Sequence, residues 1–144
     1  MCEQDVAKTD DSLDWVLILA PYRKDADYLA TLLAGHEVAV RQATGAGELA
    51  AGLAAAPAVL VLTHEALTPA VLQIVSEHLA DQPDWSEMPI VVLLDRAAPQ
   101  GRIRAELSRA WPRSRQIFYQ RPVAALELLS GIQSALLARL RQRT

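Results

Sequence analysis

Three stretches of this chain are apolar almost without interruption, and they limit its fold more than any other feature. Residues 15–20 read WVLILA, 58–63 read AVLVLT and 89–94 read PIVVLL. Each is short and rich in aliphatic or β-branched side chains, which predicts a strand rather than a helix. A strand that is apolar on both faces needs cover on both faces. A parallel sheet between two layers of helices provides it.

The segments between these runs fit that arrangement. Residues 23–34 place Tyr28, Leu29, Leu32 and Leu33 at helical spacing, and 47–55 form an alanine-rich second helix. Residues 37–41 (EVAVR) alternate and predict a short strand nearer an edge. Thr68-Pro69 combines an N-cap with proline at the first helical position, opening a helix to about Ala80. After a loop over 81–87, a helix over 101–111 stops before Pro112. A fifth strand follows at 116–119 (QIFY), then a long helix over 123–141. Five strands alternating with five helices predict an α/β fold with a doubly wound, five-stranded parallel sheet.

A chain of 144 residues can bury one sizeable core, so 15–144 is read as one domain behind an acidic, disordered leader at 1–14. A net charge of −3 argues against general nucleic-acid affinity and against a polybasic membrane anchor. One cysteine, Cys2, forms no internal disulfide, and no apolar run reaches membrane-spanning length. The leader lacks the apolar centre of a signal peptide, so a cytoplasmic location is expected.

Open parallel sheets bind ligands beyond the carboxyl ends of their strands. Here the first strand runs into Ala20-Pro21-Tyr22-Arg23, with no glycine. A dinucleotide fold, a P-loop and a flavin phosphate loop all need small residues there for close backbone approach, so all three are excluded.

The strand order and spacing instead resemble the receiver domain of two-component response regulators, a flavodoxin-like (βα)5 fold. Residues 57–63 (PAVLVLT) look like the third receiver strand, 88–94 (MPIVVLL) like the fourth, and Phe118-Tyr119-Gln120-Arg121-Pro122 like the fifth with its Lys-Pro junction. The likeness spans about residues 15–141. The segment 82–89 (QPDWSEMP) also looks like receiver-type segments attached to bacterial sensor histidine kinases.

The resemblance implies a phosphorylation pocket, and the residues at its places depart from the pattern. Ala20 and Pro21 stand for the acidic pair, Thr63 for the acceptor aspartate, Leu94 for the hydroxyl residue and Arg121 for the lysine. A methyl group and a pyrrolidine ring cannot ligate Mg²⁺, and a threonine without base or metal is a poor nucleophile. The expectation is therefore a degenerate, non-catalytic receiver without cofactor or metal. It would act through other signalling proteins, such as a histidine kinase or an output domain.

Alternatives stay open. A shift of the third or fourth strand brings His64, Glu65 or Asp95 to the active places, though no acidic pair then appears in the first loop; a phospho-accepting receiver of shifted register stays open as an alternative. Alternatively, His64, Glu65, Asp95 and Arg121 form a small-molecule or metal site at the strand ends. Arg121 can also pair with Glu65 or Asp95 across the pocket. Phe118 stands near the aromatic switch place of receivers, although an apolar residue on such a strand is commonly core. Trp15, Trp85 and Trp111 are read as packing anchors, with an exposed Trp85 as an alternative contact point, and His36 and His78 as structural or solvated. On the last helix Leu129, Ile132, Leu136 and Leu140 give an apolar face. Residues 136–144 are expected to project beyond the sheet, offering Leu136 and Leu140 for a homodimer or a coiled coil.

Overall fold

The computed structural model describes residues 15–83 and 87–143, with side chains described through Gln142. The 1–14 leader and Trp85 lie outside the described residues.

Among the described residues the order is β1 Trp15–Leu19, α1 Arg23–Ala34, β2 Ala39–Ala43, α2 Ala46–Ala54, β3 Val59–Thr63, a 3₁₀ turn His64–Ala66 and α3 Pro69–Ala80. It continues with β4 Met88–Leu94, α4 Gln100–Ala110, β5 Ser114–Gln120 and α5 Ala125–Arg143. All five strands are parallel, in the order β2-β1-β3-β4-β5. This is the doubly wound α/β architecture the apolar runs require.

β1, β3 and β4 supply both cores because their side chains alternate between faces. Leu17, Leu19, Leu60, Leu62, Ile90, Val92 and Leu94 pack on the side of α2, α3 and α4, where Trp111 is 0 % exposed. Val16, Ile18, Val59, Val61, Val91 and Leu93 pack on the side of α1 and α5. Each buried Leu, Ile or Val contributes roughly 1.5–3 kcal/mol of apolar burial.

Local signals fix several element ends. Thr68 Oγ1 accepts from the Val71 N–H at 3.3 Å, as the Thr-Pro pair predicts. Glu48 reaches back from the first turn of α2 to the Thr44 N–H at 2.7 Å. These bonds from Thr44, backbone first and then hydroxyl, hold the Glu48 carboxyl below its ordinary value.

Two expectations need correction. The second strand begins at Ala39 rather than Glu37, because α1 ends in a Schellman turn. Val38 N–H donates to Leu33 O, Glu37 N–H donates to Ala34 O, and Glu37 takes φ 64°. The end of the last helix does not project, at least through Gln142. Arg139 is 4 % exposed, and the Gln142 amide accepts from Glu87 N at 2.8 Å and donates to Glu87 O at 2.9 Å. That clamp seats the helix end on the approach to β4.

Candidate functional site

The sheet order reverses between β1 and β3, so α1, which follows β1, and α3, which follows β3, leave on opposite faces and a crevice opens beyond the strand ends. Arg121 follows β5 immediately. Its N–H donates to Leu94 O at 2.8 Å, and the Arg121–Pro122 peptide bond is cis.

The Arg121 guanidinium gathers three carboxylates from three separate segments. Nη2 donates to Glu65 Oε2 at 2.6 Å, on the 3₁₀ turn, and to Asp95 Oδ1 at 2.5 Å, just past β4. Nη1 lies 3.4 Å from Asp25 Oδ2, in the first turn of α1. The Arg121 and Glu65 side chains are only 23 % and 21 % exposed, so this pairing is better shielded than an ordinary surface salt bridge. Burial pushes the Glu65 carboxyl up. The Arg121 hydrogen bond, a backbone hydrogen bond, the Arg121 charge and a hydrogen bond from the Thr63 side chain together outweigh it and leave Glu65 below its ordinary 4.5. Arg121 is raised in turn, chiefly by the Glu65 hydrogen bond.

Beside this cluster, between α1 and α5, lies a cavity of about 480 Å³. Tyr28, Leu29, Leu93, Val123 and Leu128 give apolar wall, while Asp25, Asp95, Arg96 and Arg121 bring charge to it. Thr63 also lines it. That side chain is 1 % exposed, and its hydroxyl is close enough to the Glu65 carboxylate to help hold that group below its ordinary value. A smaller cavity of about 290 Å³ touches Pro21, Thr44 and Glu65 on the other face.

The residues expected to share one pocket are thus divided between surroundings. Thr63 and Arg121 meet the larger cavity, Pro21 the smaller, and Ala20 is 0 % exposed within the α1–α5 core. Leu94 corrects the expectation. It is 0 % exposed and points into the opposite core, while Thr63 pairs in register with Leu93, which lines the cavity. Glu65 and Asp95 do pair with Arg121. His64 stands on the 3₁₀ turn with Nδ1 buried, outside the set of carboxylates that Arg121 gathers. Asp25 was not singled out from sequence, because a charged residue in a helix's first turn reads as ordinary end stabilisation, and Tyr28 was read only as part of the apolar face of α1.

Phe118 is half-buried against the α2–α4 core, with the Arg104 guanidinium 4.6 Å from its ring centre. Of the expected interface leucines, Leu129 and Ile132 are buried under the sheet and Leu136 is half-buried. Leu140 is exposed.

Comparison with solved structures places the shape. The receiver domain of a Methanospirillum hungatei response regulator superposes with TM-score 0.67 at 18 % identity, covering 90 % of this chain and 98 % of that one. The receiver domain of NtrX from Brucella abortus gives 0.63 at 22 % identity, covering 84 % and 97 %. A Francisella response regulator receiver domain gives 0.67 at 14 % identity, covering 87 % and 98 %.

The fold is that of a receiver domain.

A longer NtrX structure matches over 89 % of this chain but only 27 % of its own, so this chain spans about a quarter of that protein. No family model matches, and no curated protein matches the sequence.

The receiver fold implies a Mg²⁺ ion at the strand ends, and the residues here do not fit one. Ala20 and Pro21 offer no ligand atom from their side chains. The nearby carboxylates Asp25, Glu65 and Asp95 are already drawn to a guanidinium. Among the described residues, no three His, Cys, Asp or Glu side chains are grouped to hold a metal. Among them too, no helix is long and apolar enough to cross a membrane.

Proposed function

We propose that this chain is a receiver-type module of two-component signalling that works by protein contact and takes up no phosphoryl group on aspartate. One observation carries the reading. The Arg121 guanidinium sits among Asp25, Glu65 and Asp95 at the strand ends, so a fixed positive charge already occupies the region where metal and phosphoryl charge would have to meet. On this reading Thr63 takes the acceptor place and offers no carboxylate to attack phosphorus, and Glu65, on the turn just beyond β3, is held by Arg121.

Its partners on this reading are a histidine kinase, an output domain or a second copy of the chain. The surface that supports contact is the outer side of α5. There Leu126, Leu137 and Leu140 are 76 %, 51 % and 38 % exposed. With Ser130 and Gln133 they fall at alternating four- and three-residue steps, the spacing of a helix–helix seam.

The test is incubation with Mg²⁺ and acetyl phosphate, read by intact mass and by amide NMR, with beryllofluoride in parallel. The expected result is an unchanged mass and no localised spectral change at the strand ends. A phosphoryl adduct that disappears on mutating one residue would overturn the proposal.

A further inference from the structure

The outer side of α5 carries a pattern that reads the same in both directions. Leu126, Ser130, Gln133 and Leu137 are all exposed and stand four, three and four residues apart. The order apolar, polar, polar, apolar is therefore symmetric about the point midway between Ser130 and Gln133. Leu128, Leu129, Ile132 and Ala135 are buried on the opposite side, so packing against the sheet does not use this stripe.

Such a stripe selects its occupant. In an isologous two-fold contact residue i of one copy meets residue j of the other, and j meets i. Two α5 helices laid antiparallel about that midpoint bring Leu126 onto the partner's Leu137 at each end. Between these layers Ser130 meets the partner's Gln133, twice. Apolar side chains then meet apolar ones, and a hydroxyl meets an amide that both donates and accepts. Polar layers at the centre of a seam also fix its register. A foreign helix would require no such symmetry, and neither would a parallel pair.

The helix ends favour the same direction. Glu127 lies in the first turn of α5, and the exposed Arg141 lies near its last. Antiparallel helices set each acidic amino end beside a basic carboxyl end and oppose the two helix dipoles, whereas parallel ones bring like ends together. The stretch from Leu126 to Leu137 spans only about 17 Å of helix, so the contact is small and the association weak.

We propose that two copies of this chain associate through an antiparallel pair of α5 helices, with Leu126 on Leu137 and Ser130 on Gln133 about a two-fold axis. The pairing rests on α5 being the contact surface proposed above, and it fixes both the partner and its direction. It does not depend on the absence of phosphoryl transfer.

The experiment is disulfide trapping in the full chain with Cys2→Ser as background. Leu126→Cys and Leu137→Cys are prepared separately, then oxidised alone and as a mixture at up to about 1 mM, where weak pairs form. Both substituted positions are exposed, and far-UV circular dichroism and Tm confirm that each variant folds. The mixture should yield the crossed disulfide at least about tenfold faster than either variant alone, because only the antiparallel register brings these two Cβ atoms within bridging distance. Sedimentation of the Cys2→Ser chain, with α5 untouched, should show a concentration-dependent dimer. Rapid cross-linking of Leu126→Cys alone would mean parallel helices and would overturn the proposal. So would a dimer that traps neither pair, or a monomer at every concentration. A monomer leaves the receiver-type contact module standing with a different protein as its partner, whereas a phosphoryl adduct would overturn that module and leave the helix pair untouched.

Discussion

Arg121 is the residue on which the strand-end arrangement turns, and its environment sets two measurable effects. Replacing it with Gln leaves Glu65 and Asp95 facing each other without their shared cation. The cost should lie between that of an exposed pair and that of a broken buried one, about 2 kcal/mol at neutral pH by urea unfolding. Acid should erase part of the difference. The folded Glu65 carboxyl titrates below its ordinary 4.5, so the folded state holds fewer protons than the unfolded one in that range. Its stabilisation is complete above the unfolded value and is lost as pH falls through the folded one. Glu65→Gln should therefore flatten the loss of stability between about pH 5 and pH 3. A Glu65→Gln profile parallel to wild type would show that the pair does not contribute. The sequence made Arg121, Glu65 and Asp95 legible because all three sit just past strand ends. It could not reveal Asp25, whose role depends on how α1 leans over the sheet.

At the scale of elements, the apolar runs and the Thr-Pro cap predicted most boundaries to within a residue or two. The failures have local causes. Glu37 has no turn-forming side chain, yet it adopts the left-handed conformation at the end of α1 because Val38 is drawn back against Leu33. Leu94 was placed in the pocket because a strand apolar on both faces gives no hint which face each residue takes. The end of α5 looked like a basic tail, since a glutamine gives no sequence sign that it will grip a backbone 55 residues away. Gln142→Ala should cost about 1 kcal/mol and speed hydrogen exchange of the Glu87 amide; unchanged exchange there would disprove the clamp. Helix packing supplies a sharper test at Gly52. A Cβ there would stand 2.8 Å from both Leu17 methyls, and Leu17 is 1 % exposed on a central strand. Gly→Ala in a helix ordinarily gains about 1 kcal/mol, but overpacking costs about 1–3. Gly52→Ala should therefore lower stability in thermal unfolding, and a rise in Tm would mean α2 can shift outward.

For the molecule as a whole, the question is where a second protein can attach. The two sheet edges are poor candidates. β2 carries Arg41 stacked 5.0 Å from the Trp15 ring, and β5 carries the exposed Arg115, charges that discourage strand addition. Among the described residues, three of the five large exposed apolar side chains lie on α5, and the other two, Tyr22 and Tyr28, lie at the N-cap of α1 and within it. Contact through α5 would bury Leu126, Leu137 and Leu140 without disturbing Leu128, Leu129 and Ile132, which hold the helix to the sheet. The outer leucines are therefore separable from the fold. Leu137→Glu, alone or with Leu126→Glu, should leave the unfolding free energy within about 0.5 kcal/mol of wild type. Light scattering across a concentration series should show wild type associating and the double variant monomeric. Wild type that remains monomeric throughout would exclude a homodimer on this face, leaving a different protein as the partner for the same leucines.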